Sequence, residues 1–175
     1  MSPHHDGWTL RTARLTIRRA RVEDAEAIHD IRGSMPFDPP TRDLPATRAM
    51  IAVMVALPQA EPGWRQFAMV LNGSVIGDIG VHFDSPGSRQ AELGFALHPD
   101  VRRQGLATEG VGEMVEQLFG IGGLHRIAAT TDARNIATQL LLTRLRFRRE
   151  AHHIESWQHE GGWSDEFGYA RLASD

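Results

Sequence analysis

Alternating residues in the middle of the chain constrain its fold most strongly. Apolar or small side chains occupy every second position over residues 75–83, and residues 91–97 repeat the pattern. A period of two is typical of strands in a sheet whose two faces differ. Residues 67–71 run into Asn72-Gly73, a hairpin signal because both residues tolerate positive φ. We therefore predict three antiparallel strands in a meander.

Helices and further strands are predicted on both sides of this meander. The predicted strands cover residues 10–19, 126–131, 148–157 and 163–172, and the predicted helices cover residues 22–32, 47–57, 107–119 and 135–145. The helix at 47–57 is expected to be mostly buried. The helix at 135–145 is expected to turn four side chains inward: Ile136, Leu140, Leu141 and Leu145. The fold class is a mixed α/β (α+β) domain over residues 1–175, mostly antiparallel with helices on both faces, and residues 1–8 are expected to be a mobile tail.

Composition limits the classes of function. The net charge is −3, so nucleic acid is not expected as the main partner, because phosphate binding needs a basic surface. The chain has no cysteine, which excludes disulfides, cysteine-based zinc sites and thiol nucleophiles. The most apolar stretch, residues 50–57, is too short to span a membrane, and no signal peptide is evident. A cytoplasmic enzyme or binding module fits this composition.

The strand-to-helix loop at residues 98–110 carries the strongest functional signal. It is basic, contains glycine and leads directly into an amphipathic helix. Free amides and the dipole at a helix N-terminus attract anions, and Gly105 lets the backbone approach a phosphate. Arg102 and Arg103 add positive charge. A plain turn with solvated arginines explains the same residues, so the loop alone leaves both interpretations open.

Four blocks of sequence, in order, resemble the GNAT acetyltransferase superfamily. Arg102-x-x-Gly105-x-Ala107 is similar to its pyrophosphate signature, (Arg/Gln)-x-x-Gly-x-(Gly/Ala), between the fourth predicted strand and the third predicted helix. The other blocks resemble the RimJ/RimL branch, which acts on protein N-termini and small amines. These blocks are residues 12–19, residues 135–138 followed by 145–150, and residues 169–172. The resemblance covers nearly the whole chain and implies a GNAT-like acyl-CoA N-acyltransferase fold.

This resemblance implies acetyl-CoA as co-substrate and a set of residues that bind it. Loop amides would hold the pyrophosphate, and the preceding strand, which splays from its neighbour in this family, would pair with the pantetheine arm and acetyl carbonyl. Asn135 would hydrogen-bond the pantetheine arm, and Thr138 would donate a proton to the leaving thiolate. The implied coenzyme-binding residues are Phe95, Ala96, Leu97, Arg102, Arg103, Gln104, Gly105, Leu106, Ala107, Thr108 and Asn135.

Two positions depart from the family pattern. Thr138 stands where this branch usually has serine, so a hydroxyl is retained. Arg146 replaces the glycine that ends the helix in a left-handed turn, a conformation that is costly for arginine. We therefore expect a locally altered turn at Arg146, with little effect on coenzyme binding.

Amine acetylation needs a group that takes up a proton. Glu92 is the leading candidate for the general base, acting through water, because residues 91–94 resemble the family's and Glu92 shares a strand face with Gly94 and Ala96. The alternative is that Glu92 pairs with Arg89 or an arginine of a neighbouring strand.

Other titratable residues are expected to be structural. Asp78 and His82 share the polar face of the preceding strand and are weaker candidates for the base, expected to be solvated. His152 and His153 are adjacent on a strand, so they point to opposite faces and are not expected to bind a metal.

The acceptor side is less constrained by the sequence. Under the family layout, residues 34–45 and 159–165 border the acceptor entrance. Phe37, Asp38, Trp157 and Trp163 are the residues expected to line a pocket there. An aspartate suits a cationic amine, but Asp38 fits a loop cap equally well, and tryptophans also serve packing.

The predicted activity is acetyl transfer from acetyl-CoA to a primary amine, either a protein N-terminal α-amine or a small amine of the aminoglycoside or polyamine type. Direct attack in a ternary complex is expected, because no cysteine is present to carry the acetyl group. A non-catalytic acyl-CoA-binding module is the alternative, disfavoured because Glu92 and Thr138 are present. Nucleotide binding is disfavoured because Gly-x-Gly-x-x-Gly and Gly-Lys-(Ser/Thr) are absent. No metal or membrane partner is expected, and a homodimer is left open because relatives of this type are often dimers.

Overall fold

Eight strands and four helices make up the part of the chain described by the computed structural model, residues 8–37, 43–58, 61–85, 87–159 and 161–175. The strands are β1 Thr9–Arg11, β2 Thr16–Arg19, β3 Gly63–Leu71, β4 Ser74–Phe83, β5 Gln90–Leu97, β6 Arg126–Asp132, β7 Arg148–His159 and β8 Gly162–Leu172. The helices are α1 Ala25–Gly33, α2 Leu44–Ala56, α3 Leu106–Phe119 and α4 Ile136–Arg144, with 3-10 turns at Val22–Asp24 and Pro99–Val101. No helix within these ranges is long and apolar enough to cross a membrane.

The strands form one sheet in the order β1-β2-β3-β4-β5-β6-β8-β7, and β5–β6 is its parallel pair. Buried residues of α3, such as Met114 and Leu118, pack with Ile17, Met69 and Ile127 in the main core. Helices α1 and α2 contact the sheet through β3, β4 and β5 on the opposite face. The predicted fold class, a mostly antiparallel sheet with helices on both faces, is confirmed.

Strands β5 and β6 separate part-way along their length. They pair only at Gln90 with Arg126, Ala91 with Ile127 and Glu92 with Ala128, although both strands continue beyond these positions. The N–H of His98 donates to the Ile76 carbonyl of the β4 side at 2.8 Å. By strand alternation, the backbone groups of Phe95 therefore point into the gap between β5 and β6.

The N-terminal segment forms a hairpin rather than the single predicted strand over residues 10–19. The N–H of Thr12 donates to the Leu15 carbonyl at 3.0 Å, and its hydroxyl accepts from the Leu15 N–H at 2.9 Å. These bonds close a tight turn, so β1 folds back on β2. Trp8 packs against the core. Residues 1–7 lie outside the described residues.

Helix α2 begins earlier and is more exposed than the sequence predicts. Asp43 Oδ1 accepts from the Ala46 N–H at 2.8 Å, and Pro45 occupies the first turn, so the helix begins at Leu44. Only Thr47 and Ile51 are buried. The expectation of a mostly buried helix is wrong, because α2 covers the sheet with one side only.

Helix α4 presents only part of the predicted face to the core, since Leu141 is buried and Leu145 packs against the core as predicted. Ile136 and Leu140 are 58% and 55% exposed, whereas Leu141 and Leu142 are buried. The prediction is therefore wrong for Ile136 and Leu140, because the inward face is set by packing through Leu141 and Leu142, which periodicity alone does not reveal.

The turn after α4 keeps its left-handed form despite the arginine. Arg146 has φ of +64°, its N–H donates to Thr143, and the Phe147 N–H donates to Leu142. Phe147 is buried in the core. The expectation of an altered turn is wrong, because these bonds and the burial of Phe147 hold Arg146 in the conformation that suits glycine.

Candidate active site

A cavity of about 530 Å³ passes through the gap between β5 and β6. It is lined by residues on both faces of the two strands, Leu93 to Ala96 on β5 and Ala129 to Asp132 on β6. The remaining lining residues come from other elements: Arg32, Met35, Phe37, Met50, Met54, Trp64, Gln66, Gly80, Asn135, Thr138, Trp157 and Glu166. The cavity therefore connects the α3–α4 face of the sheet with the α1–α2 face.

The loop before α3 offers a run of free backbone donors. Amides 103–108 donate to no acceptor among the described residues. Gly105, the N-cap of α3, has φ of +77°, and Arg103 has φ of +62°. Successive N–H groups around left-handed residues at a helix N-terminus form an anion-binding concavity. The loop predicted to bind phosphate thus has free amides and left-handed residues in an arrangement that suits an anion.

Arg14 lies beside this loop and was not predicted from the sequence. Its Nε and Nη2 donate to Glu109 Oε2 at 2.7 and 2.6 Å, and its Nη1 donates to the Gln104 carbonyl at 3.0 Å. The hydrogen bond from Thr12, with those from Arg14, holds the pKa of Glu109 below its usual range. This ion pair fixes a half-exposed cation beside Gly105. The signal was hidden because it depends on the β1–β2 turn meeting α3.

Arg102 ties the loop to the end of β5. Its Nε donates to the Leu97 carbonyl at 3.0 Å, and Nη2 contacts Ser34 Oγ at 3.4 Å. Leu97 therefore has an occupied carbonyl, whereas the backbone of Phe95 faces the gap. Among the other loop residues predicted to bind coenzyme, Arg103 and Gln104 are exposed and Leu106 is buried in the core, while Ala107 and Thr108 are half-buried.

Asn135 and Thr138 both line the cavity at the start of α4. Asn135 Oδ1 caps the helix by accepting from the Thr138 N–H at 3.1 Å. Neither the Asn135 Nδ2 group nor the Thr138 hydroxyl has a hydrogen-bond partner within the described ranges. Both groups are therefore available to a ligand in the gap.

Glu92 is exposed at the point where β5 and β6 separate, outside the cavity lining. It stands opposite His82 on β4 and Ala128 on β6. It has no ion pair in the described part of the chain, and Arg89 instead donates to the Gly123 carbonyl at 3.1 Å. The observed contacts give the alternative pairing of Glu92 with Arg89 no support.

Asp78 is fully buried, so the expectation that it is solvated is wrong. Its Oδ2 accepts from Arg32 Nη2 at 2.6 Å, from Arg32 Nε at 3.1 Å and from the Gln66 amide, while Oδ1 has no partner among the described residues. Burial raises the pKa of Asp78 despite the neighbouring guanidinium. His82 is half-buried, with Nδ1 3.2 Å from Asp84 Oδ1. The Asp78 carboxylate anchors Arg32 at the cavity wall.

Only some of the residues predicted to bind the acceptor line the cavity. Phe37 and Trp157 line the cavity, and the Arg134 guanidinium lies 5.1 Å from the Phe37 ring centroid. Trp163 is 57% exposed and lies outside the lining. Asp38 lies outside the described residues.

Two carboxylates that were not predicted from the sequence line the α1–α2 side of the cavity. Asp132 is bound by Arg134 Nε and Nη2 at 2.8 and 2.7 Å and by Ser164 Oγ at 2.8 Å, and the hydrogen bonds from Arg134 lower its pKa to about 2. Glu166 Oε2 accepts from Ser156 Oγ at 2.9 Å. Within the described ranges, no group of three or more His, Asp or Glu side chains is arranged to hold a metal ion.

Comparison with known proteins decides the family. The protein-family model described as acetyltransferase (GNAT) domain matches residues 14–148, which is most of the chain. The chain belongs to the GNAT acetyltransferase family. The uncharacterized N-acetyltransferase YoaA of Bacillus subtilis (strain 168) is 31% identical over 150 residues, covering 81% of this GNAT chain and 83% of YoaA. The predictions of family and of an acetyl-CoA-dependent N-acetyltransferase are confirmed.

Solved structures share the fold of this GNAT protein. RimJ from Mycobacterium smegmatis, solved with CoA-disulfide, has a TM-score of 0.80 at 22% identity, covering 96% of this chain and 87% of RimJ. A spermidine N-acetyltransferase from Vibrio cholerae has a TM-score of 0.81 at 20% identity, covering 93% of this chain and 96% of that one. At these identities, the likeness shows the GNAT fold alone.

Proposed function

We propose that this protein transfers the acetyl group of acetyl-CoA to a primary amine by direct attack within a ternary complex. The cavity at the β5–β6 gap carries this proposal, because it joins Asn135 and Thr138 at the start of α4 and the unpaired part of β5 to a pocket under α1 and α2. Two substrates entering from opposite faces meet in this gap. Acetyl-CoA supplies the activated acetyl thioester, and the chain supplies binding, orientation and proton transfer.

Each group of proposed coenzyme-binding residues suits a different part of acetyl-CoA. Amides 103–108 and the guanidinium of Arg14 suit the pyrophosphate, because they present donors and positive charge at one place. The free backbone of Phe95 suits the amide-bearing pantetheine arm, and its N–H would stabilise negative charge on the acetyl oxygen. The Asn135 amide is a further donor to the arm, and the Thr138 hydroxyl is the proposed proton donor to the thiolate.

The acceptor class, a protein N-terminus as in the RimJ/RimL branch or a small amine, belongs to this proposal. Relatives alone do not decide it, since proteins named for ribosomal and polyamine substrates share the fold. We also propose one acetyltransferase domain over residues 1–175 and a cytoplasmic location, which the cysteine-free sequence favours. A homodimer stays a prediction.

Calorimetric titration with acetyl-CoA tests the function, with ATP and NAD as controls. We expect micromolar binding of acetyl-CoA and none of the controls. Absence of acetyl-CoA binding would overturn the proposal. Equal binding of ATP would instead indicate a general anion site.

Glu92 remains the proposed general base, acting through water at the mouth of the gap. Glu92→Gln is expected to lower kcat at neutral pH by about tenfold or more while leaving acetyl-CoA affinity unchanged, because a general base contributes to the chemical step. Glu26→Gln, an exposed change on α1, is the matched control. Equal activity of the two variants would make Glu92 structural.

A further inference from the structure

The α1–α2 side of the cavity has an apolar wall. It is formed by Met35, Phe37, Met50, Met54, Trp64 and Trp157. Trp64 lies across Gly80, where a Cβ atom would come within 3.1 Å of the indole ring. Methionine side chains adapt to varied apolar shapes, and the aromatic rings supply flat contact area. This wall suits an acceptor with an apolar body.

The cavity floor is left open by a second glycine. A Cβ atom built on Gly94 would meet nothing within 4 Å, and Gly94 lies on the same sheet face as Gly80, its partner in the β4–β5 register. The open space above Gly94 lies beside Phe95, whose backbone faces the gap. An apolar group of the acceptor therefore has room next to the proposed reaction centre.

Among the described charged residues that line the cavity, one carboxylate has no ion pair. Arg32 is paired with Asp78, and Asp132 is bound by Arg134. Glu166 has a hydrogen bond from Ser156 but no ion pair in the described part of the chain. The register places Glu166 opposite Asp132, on the strand beside β6. Among the described lining residues, Glu166 is thus the carboxylate left to bind a cation.

We infer that the acceptor is a monoamine carrying an apolar group. Glu166 binds its ammonium on entry, and the neutral amine attacks the thioester after a proton has passed through water to Glu92. This inference rests on the proposed function. A polyamine would place its further cations against methionine and tryptophan side chains, where they lose water without gaining a carboxylate. An arylalkylamine and the α-amine of a peptide with an apolar first side chain share the required chemistry.

Acetylation of three probes at saturating acetyl-CoA tests the inference. The probes are 2-phenylethylamine, the amide of the tetrapeptide Met-Ala-Ala-Ala, and spermidine, with CoA release as the readout. We expect kcat/KM for at least one apolar monoamine to exceed that for spermidine by about tenfold or more. The faster of the two monoamines identifies the source, free amine or peptide. An equal or better rate with spermidine overturns the inference, as does binding of acetyl-CoA with no acetylation of either monoamine.

Two variants test the residues that carry the inference. Glu166→Gln is expected to raise the KM of the preferred amine about tenfold and to leave the acetyl-CoA affinity unchanged, with Glu166→Asp recovering part of the loss. Gly94→Val fills the open floor, so it is expected to lower kcat/KM for 2-phenylethylamine more than for ethylamine. Glu26→Gln again serves as the control. The inference is contradicted if Glu166→Gln leaves the KM unchanged, or if Gly94→Val leaves the ratio of kcat/KM for 2-phenylethylamine to that for ethylamine unchanged. If the unaltered protein does not bind acetyl-CoA, the proposed function is contradicted instead.

Discussion

Arg146 holds a left-handed conformation that glycine adopts at no steric cost. Its side chain is exposed and has no partner among the described residues. Arg146→Gly is therefore expected to stabilise the fold by about 1 kcal/mol, raising Tm by about 2–4 °C. Thermal unfolding followed by circular dichroism measures the shift. Arg144→Gly, inside the last turn of α4, is the matched control and is expected to lower Tm. A lower Tm for Arg146→Gly contradicts this account.

The buried Asp78 carboxylate depends on Arg32 for its charge partner. Arg32→Met is expected to cost about 2 kcal/mol at pH 7, below the ~3–5 of a fully buried pair, because the Arg32 side chain is 35% exposed. Asp78 has a raised pKa in the fold, so the unfolded chain releases this proton first and stability falls as pH rises above 3.8. Urea unfolding is expected to show a larger loss at pH 7 than at pH 4. Arg32→Met with Asp78→Asn should remove this difference, and an equal loss at both pH values would contradict the role of Asp78.

Single residues differ in how far the sequence reveals them. Gly105 and Asn135 belong to local motifs, and both are N-caps of helices in the structure. Asp78 belongs to no local motif, since its charge partner comes from α1, far away in the chain. Glu166 belongs to no motif either, although its partner Ser156 lies on the neighbouring strand β7. Burial of a carboxylate depends on such distant packing, so sequence patterns assigned Asp78 to solvent.

The N-terminus of α3 is the element on which coenzyme binding is predicted to depend. Gly105→Leu puts a side chain beside Arg14 and strains the left-handed N-cap, so acetyl-CoA affinity is expected to fall at least about a hundredfold. Calorimetric titration measures the loss. Gly123→Leu is the matched control, because Gly123 is also left-handed, with open space around it, but lies beyond the other end of α3. If both variants lose acetyl-CoA affinity to the same extent, backbone strain rather than the loop is responsible for the loss.

At the scale of elements, periodicity predicted type and order better than orientation. The period of two and the Asn72-Gly73 turn specified the meander, because these signals are local. The inward faces of α2 and α4 depend on which neighbours they meet; the prediction was wrong for most of α2 and for Ile136 and Leu140 of α4, and right for Leu141 and Leu145. The extra strand β1 was missed because the turn at Thr12 is closed by a hydroxyl rather than by glycine or proline.

At the scale of the whole molecule, the proposed meeting of two substrates across one sheet sets an expectation for the kinetics. Initial rates measured against acetyl-CoA at several amine concentrations are expected to give intersecting double-reciprocal lines, because both substrates must be bound before transfer. Parallel lines would indicate an acetylated enzyme and contradict direct transfer. As a control, an unreactive amine analogue is expected to leave the affinity for acetyl-CoA unchanged, which would show that the two substrates bind at independent sites.

The gap between β5 and β6 also separates the residues proposed to bind the coenzyme from those proposed to bind the amine. Contacts proposed for the coenzyme lie on the β1–β2 turn, β5, the start of α3 with the loop before it, and α4. The apolar wall and Glu166 come from the segment after α1 and from α2, β3, β7 and β8. Substitutions under α1 and α2 can therefore change which amine is accepted without disturbing the phosphate-binding loop. A fold divided in this way can acquire new acceptors over evolution while its donor stays fixed.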